Sequence, residues 1–340
     1  MNRRIATRLF GAVLVLQLVS ALSFPAFSQE RVKLRVYGAI EIDELDEWVR
    51  SFERDNPEIE LVVTRGSTGV VTARILAEAT NPRADVIWRL ANTSLIEFAR
   101  RGLLQPYRPA SFDAILPQFR SQEATPTWVG HVGYMGAVCV NRVELAKLGV
   151  ASPRSWNDLL DERLKGKVVM PSPASSGTGF LHLASWLNRS HENQAWEFFR
   201  RLDKNIAYYT TSGSKPCTLA ASGEAAIGLS FSTRGETLQK QGAPIDVVIP
   251  EDGVGWDIEG SAIMAGTKQA RAARQFMDWV TGRRAMSLYA KRYPLLGIPV
   301  DGFPPPNQAW LVPMDFYKLA ESRAQTIRKW EAEFVGKQEK

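Results

Sequence analysis

From Val32 onward the chain alternates short apolar strands with amphipathic helices, and no other feature restricts its fold so much. Leu34 to Tyr37 reads as a strand. Ile42, Leu45, Trp48, Val49 and Phe52 then recur at helical spacing until Asn56-Pro57 ends the helix. Ile59 to Thr64 is the next strand, Thr68 to Ala79 a second helix, and Asp85 to Trp88 a third strand. This order predicts parallel strands linked by crossover helices, an α/β architecture in which ligands bind beyond the carboxyl ends of the strands.

The same grammar returns between Lys167 and Phe231: strands at 167–170, 206–210 and 226–231, with helices over 178–187 and 215–222. Two extended, Gly- and Val-rich stretches, Trp128 to Asn141 and Gly253 to Met264, flank this second unit. They predict a chain that crosses into a second domain and comes back. Residues 29–134 with 260–340 form one lobe, 135–259 form the other, and the C-terminal part is mainly helical. With 340 residues, 45% of them hydrophobic, there is ample material for two cores.

Residues 1–28 read as a secretory signal peptide. Arg3, Arg4 and Arg8 precede an uncharged apolar run from Leu9 to Phe27, and Ala26 and Ser28 are the small residues that a signal peptidase accepts. Gln17, Ser20, Ser23 and Pro25 interrupt the run, which argues against a membrane span. The formal charge of +6 owes half its size to this segment: removing its three arginines from the 42 basic residues leaves 39 against 36 acidic. No Lys/Arg run exceeds two residues, so nucleic acid is not an expected partner. In an exported chain the two cysteines, Cys139 and Cys217, are expected to bridge, closing a loop of about 79 residues worth roughly 4 kcal/mol in the chain-entropy account. Two buried thiols are the alternative.

Three small-residue loops each follow a strand and open a helix: Gly66-Ser67-Thr68-Gly69, Ser175-Ser176-Gly177-Thr178-Gly179 and Ser212-Gly213-Ser214-Lys215. A helix start leaves N–H groups unpaired and carries partial positive charge, so such loops can cradle a phosphate-like or carboxylate anion. Each taken alone is adequately explained as N-capping. Glu41, Trp88, Trp256 and Asp257 fall at comparable positions, and tryptophan faces with nearby carboxylates suit an ammonium group. Catalytic and metal signatures are weaker. Ser212 and Lys215 match the Ser-x-x-Lys nucleophile pattern without its companion motifs, which leaves an acyl-transferring enzyme as the reading of another class. His131, His182 and His191 are scattered without metal-ligand spacing. Tyr208-Tyr209 is the one pair that suggests ferric iron, since paired tyrosinates hold that ion, although strand alternation would separate the two rings. No phosphate-loop motif of nucleotide hydrolases occurs, and no cofactor is expected.

These residues resemble a family: the periplasmic solute-binding proteins of ABC importers, and within it the 2-aminoethylphosphonate-binding branch. The similarity is carried by Ser67-Thr68-Gly69-Val70, Asn81-Pro82 leading to Ala84-Asp85-Val86-Ile87-Trp88, Pro173 to Gly179, Ser212 to Cys217, and Gly255-Trp256-Asp257. It implies two α/β lobes joined by two crossovers, with a ligand cleft between them, the type II periplasmic binding protein fold. It also implies a non-catalytic, monomeric protein that delivers its ligand to a membrane permease. By that resemblance Ser67, Thr68, Gly69, Ser175, Ser176, Gly177 and Thr178 grip the phosphonate, with Ser212, Ser214 and Lys215 adding donors. Glu41 and Asp257 take the ammonium, and Trp88 or Trp256 lies against the two-carbon link. The chain departs from the family pattern at Arg89, where Gly is common, and at Thr233, where an aromatic is frequent. An arginine at the cleft edge would add a contact to the anion or leave less room for an ammonium, which opens the ligand to a related phosphonate or a small organophosphate.

Overall fold

The computed structural model describes residues 30–305 and 307–339, so the expected signal peptide lies outside the described residues. Among the described residues no helix is long and apolar enough to cross a membrane. The first unit runs β1 (Val32–Gly38), α1 (Ile42–Asp55), β2 (Ile59–Arg65), α2 (Thr68–Ala77), β3 (Val86–Ala91), α3 (Asn92–Arg100) and the two-residue β4 (Leu104–Gln105). A long β5 (Trp128–Asn141) leads through α4 (Arg142–Lys147) into the second unit: β6 (Val168–Pro171), α5 (Gly177–Arg189), α6 (Glu192–Asp203), β7 (Ile206–Thr210), α7 (Lys215–Ser222), β8 (Ile227–Phe231), α8 (Ser232–Lys240) and β9 (Ile245–Val248). The return strand β10 (Trp256–Met264) is followed by α9 (Ala270–Val280), α10 (Arg283–Ala290), a short β11 (Leu295–Leu296) and the final helix α11 (Phe316–Phe334).

Among the described residues the strands form one eleven-stranded sheet, ordered β2-β1-β3-β10-β5-β8-β6-β7, with β4 beside β10 and with β9 and β11 beside β5. Neighbours within each βαβ unit are parallel, as the alternation predicted: β1 lies parallel to β2 and β3, and β6 parallel to β7 and β8. The two crossing strands run antiparallel and stitch the halves together. β5 pairs with β10 from Trp128 to Met135, then with β8 from Gly136 to Val140 and with β9 from Val138 to Asn141. All fourteen residues of β5 are buried, which explains its run of Gly, Val and Ala in place of an alternating pattern.

Each half owns a core. In the first, Phe52, Trp88, Phe276 and Trp279 interlock edge to face, for example Phe52 and Trp279 at 5.5 Å and 90°, with Trp48 tilted against Trp88. In the second, Phe199 and Tyr209 meet Trp330 edge to face, and Trp156 and Trp196 are buried in the same cluster. Helix α11 serves both: Ala320 packs into a cluster with Ile96 and Phe98 of α3, while Trp330 and Phe334 close the second core. Beyond α11, the Glu339 amide donates to the Tyr209 carbonyl at 2.9 Å, so the tail lies along β7. Cys139 of β5 and Cys217 of α7 form a disulfide with Cα atoms 5.3 Å apart.

Candidate functional site

Between the two halves lies a polar cavity of about 100 Å³. It opens where strands end. The β1–α1 turn contributes Ala39 and Glu41, the end of β2 gives Arg65 and Gly66, and the start of α2 gives Ser67 and Thr68. From the facing side come Ser176, Gly177 and Thr178 at the start of α5, Ser212 and Gly213 after β7, and Phe231 ending β8. Tyr134 of β5, Glu259 of β10 and Tyr293 complete the wall.

Two helix starts converge on this space, which is the local arrangement that the Ser/Thr/Gly loops dictate. Ser67 occupies the N-cap position of α2 with no side-chain cap bond, leaving its hydroxyl available to the cavity. Ser176 caps α5 by accepting from the Gly179 amide at 3.3 Å. The halves also touch directly: the Gly69 amide donates to the Ser175 carbonyl at 2.9 Å. Arg65 supplies positive charge. Its Nε donates to the Ile40 carbonyl at 2.6 Å, and among the described residues no carboxylate pairs with it. The carboxylates of Glu41 and Glu259 line the same cavity. Burial, partly offset by the adjacent Arg89 guanidinium, pushes the Glu259 carboxyl up to about 7.

Of the residues expected at the site, Glu41, Ser67, Thr68, Ser176, Gly177, Thr178 and Ser212 are brought together around the cavity. The others are placed elsewhere, each for a physical reason. Trp88 is fully buried in the first core against Phe276 and donates from Nε1 to the Tyr289 hydroxyl, so it presents no face to a ligand. Trp256 packs edge-on against Phe316 of α11. Asp257 is buried two residues before Glu259 on β10 and does not line the cavity, although its cross-strand partner Tyr134 does. Lys215 is engaged by Glu339 of the tail, which raises its ammonium pKa and holds it protonated. Ser214 bonds with Ser212 at 3.1 Å, and the Ser175 hydroxyl donates to the Thr211 carbonyl at 3.3 Å behind the loop. Gly69 serves as the interlobe contact.

Arg89 is not at the cleft edge either. It is 1% exposed, and it adopts φ 55°, the left-handed region that favours glycine, which fits the glycine common in the family at this position. Thr233 is buried in the first turn of α8, and Phe231 supplies the aromatic contact to the cavity. Glu259, in the Trp256-Asp257-Ile258-Glu259 run, takes the place expected of Asp257, and Arg65, Tyr134, Tyr293 and Phe231 were missed by sequence reasoning. Only Arg65 carried a local signal, standing directly before the first small-residue loop.

The two other chemistries expected from sequence do not fit the geometry. Tyr209 is buried and its hydroxyl donates to Asp203 at 2.7 Å, while Tyr208 leaves the other face of β7, so the tyrosines cannot converge on ferric iron. Neither lines the cavity. For the Ser-x-x-Lys reading, a lysine held as an ammonium by Glu339 cannot take the Ser212 proton.

Asp257 carries a testable consequence. Burial pushes its carboxyl up to about 8, against the lowering effect of the Ile258 amide at 2.7 Å. A raised carboxyl keeps its proton in the folded chain while the unfolded chain, near 3.9, has lost it. Its contribution to stability is therefore fully present below about pH 4 and declines as pH rises through about 8. In urea unfolding between pH 5 and 8, Asp257→Asn is expected to remove on the order of 2–3 kcal/mol of this decline. Parallel pH profiles for the two proteins would refute the assignment.

Residues 47–310 match the family model described as bacterial extracellular solute-binding protein. An uncharacterized protein of Haemophilus influenzae is 34% identical over 78% of this chain and 80% of its own length. A Sinorhizobium fredii protein named as an ABC transporter periplasmic-binding protein is 28% identical over 81% and 76%. A Salmonella typhi periplasmic protein named for 2-aminoethylphosphonate binding is more distant, at 21% over 78% and 75%. Among solved structures, the periplasmic binding protein AfuA from Actinobacillus pleuropneumoniae, with exogenous fructose-6-phosphate bound, superposes with a TM-score of 0.84 at 28% identity over 91% of this chain and 100% of that one. With this two-lobed α/β architecture and that match over most of its length, the chain belongs to the bacterial extracellular solute-binding proteins, the periplasmic substrate-binding components of ABC transporters.

Proposed function

We propose that the protein binds a small organic phosphate or phosphonate whose carbon tail carries hydrogen-bond donors, and that it delivers this ligand, as a monomer, to a membrane permease. The observation that carries the reading is the meeting of two helix starts, α2 and α5, across a cavity that is also lined by the Arg65 guanidinium and by the carboxylates of Glu41 and Glu259. Serine and threonine hydroxyls, N-terminal amides and a guanidinium suit a tetrahedral oxyanion. The carboxylates suit hydroxyl or ammonium donors on the tail. Fructose-6-phosphate, bound by AfuA, and 2-aminoethylphosphonate, in the name of a distant relative, share this plan. We infer further that residues 29–134 with 260–340, less the end of α11 and the tail that pack on the second core, close on the ligand against residues 135–259 about β5 and β10. The support is the change of β5's partners between Met135 and Gly136. A ligand that touches both lobes favours the closed form.

Isothermal titration with fructose-6-phosphate, 2-aminoethylphosphonate, inorganic phosphate and fructose tests the ligand class. Heat is expected with at least one phosphorus compound and none with fructose. Arg65→Ala is expected to weaken that binding about 10- to 100-fold, the effect of removing a charge-assisted hydrogen bond. Silence with all three phosphorus compounds would overturn the reading.

A further inference from the structure

Behind the cavity sits a buried ion cluster that the binding reading does not use. Arg89, at φ 55°, holds a conformation that L side chains rarely adopt, and among the described residues it is the one non-glycine with positive φ. Its guanidinium is clamped between two carboxylates. Nη1 donates to Glu44 at 2.8 Å, Nε donates to Oε2 of Glu259 at 2.6 Å, and Nη2 reaches the same oxygen. The rings of Trp48 and Tyr293 lie 4.6 and 4.1 Å from it. Both bonds to Glu259 fall on Oε2. Oε1 has no partner among the described residues, on a side chain that lines the cavity.

We propose that Arg89 is a positioning residue that fixes Glu259 as an ionised acceptor, with Oε1 presented to the donors on the ligand's tail. A guanidinium of this geometry sets the carboxylate plane and compensates its charge in a place where water does not. Glu44 fixes the other end of Arg89 and itself accepts from the Tyr293 hydroxyl at 3.0 Å, so the guanidinium cannot swing toward the ligand. Glu44 and Glu41, both from the α1 side, act with burial to protonate Glu259, and Arg89 opposes them. Tyr134, Tyr289 and Tyr293, which face the cluster from β5 and the α10 region, are pushed up by burial and stay neutral through pH 9. Burial raises Glu44 too and holds His131 neutral, and Asp257, pushed up to about 8, titrates nearby without lining the cavity; Glu259 is thus the cavity carboxyl that changes charge near neutrality, and loss of Arg89 moves its titration upward.

This inference rests on the ligand class proposed above, and the experiment separates the two. Wild type, Arg89→Gly and Glu259→Gln are titrated at pH 6.0, 7.5 and 9.0 with fructose-6-phosphate, which has a tail, and with inorganic phosphate, which has none. Glycine suits the left-handed backbone at position 89. Arg89→Gly is expected to bind fructose-6-phosphate about 10- to 100-fold more weakly at pH 7.5 and to regain affinity at pH 9.0, with phosphate affinity changed by less than about 3-fold. Glu259→Gln is expected to show a similar loss without recovery at pH 9.0, and the double variant to bind no more weakly than Glu259→Gln alone. The titration of phosphate itself is common to all the proteins and cancels in the comparison. Should Arg89→Gly fail to fold, Glu259→Gln decides: its ratio to wild type should narrow from pH 7.5 to 6.0, where the wild-type carboxyl takes up its proton. Unchanged affinity and pH profile in either folded variant, or equal losses for both probes, would overturn the inference alone. A wild type that binds neither probe would overturn both it and the ligand class.

Discussion

Gly69→Val is expected to weaken ligand binding by at least about 100-fold while leaving the unliganded protein folded with nearly unchanged stability. Gly69 stands in the first turn of α2, where its amide reaches across the cleft to Ser175. A Cβ built there would lie 2.1 Å from the Ala174 carbonyl oxygen and 2.8 Å from the Ser175 backbone. Those neighbours are main chain and cannot rotate aside, so the halves must part by an ångström or more. The cavity grips its ligand from both sides, and parting removes half of the grip from each bound molecule. If the closed form becomes rarer by a given factor, apparent affinity falls by the same factor, and about 100-fold corresponds to a penalty near 2.7 kcal/mol. Each half keeps its own aromatic core in the parted form, so thermal unfolding without ligand should barely move.

Gly177 provides the graded control. Its Cβ would meet Thr68 Oγ1 at 2.6 Å, the end of a side chain that can turn away, so Gly177→Ala should cost distinctly less affinity. Titration calorimetry with small-angle scattering reads both quantities. A Gly69→Val protein that binds within about 3-fold of wild type would remove closure from the mechanism.

The alternation that organises the chain was legible because apolar positions recur with the period of the element that buries them. Residues 128–141 and 215–222 form β5 and α7 over the very spans read from sequence. Helices α3, α6 and α8 were not read, for different reasons. Asn92-Thr93-Ser94 resembles a turn, yet all three residues are buried at the start of α3. In α6, Ala195, Trp196, Phe199 and Leu202 do fall on one buried face, a pattern that was present and passed over. In α8, Gly235 looks like a breaker but is needed for space: a Cβ there would lie 2.7 Å from Val247 Cγ2 and 2.8 Å from Cys139 Sγ.

At the site, helix-start residues were readable because their chemistry is local. Glu259 and Asp257 were not distinguishable, since both project from one face of β10 and only the neighbouring elements decide which meets the cavity and which meets α3 and α11. Arg89 and Lys215 show the same limit with charge. Each looks available to an anion in sequence, and each is claimed by carboxylates remote in sequence, Glu44 and Glu259 for the one and Glu339 for the other.

The second large effect belongs to the unfolded chain. Cys139→Ala/Cys217→Ala is expected to lower unfolding stability by about 4 kcal/mol and to leave ligand affinity within about 3-fold of wild type. The bridge joins positions 78 apart, and both cysteines are fully buried beside Ala220 and Ile245. Between them lie the start of α5 and the Ser212-Gly213 turn, so cutting the link frees, in the unfolded chain, every cavity residue of the second half except Phe231 and Glu259. In the folded chain those residues are held by other means. β5 is paired to β8 and β9 on either side of Cys139, and α7 packs onto β8 so closely that a Cβ at Gly228 would lie 2.1 Å from the Pro216 carbonyl oxygen. A crosslink between elements already fixed adds little to the native geometry and acts by restricting the alternative. Urea unfolding of the oxidised protein and the double variant, with titration of each, separates the two effects. Two reactive thiols in denatured, unreduced protein would refute the bridge, and an affinity loss matching the stability loss would show that it holds the cleft itself.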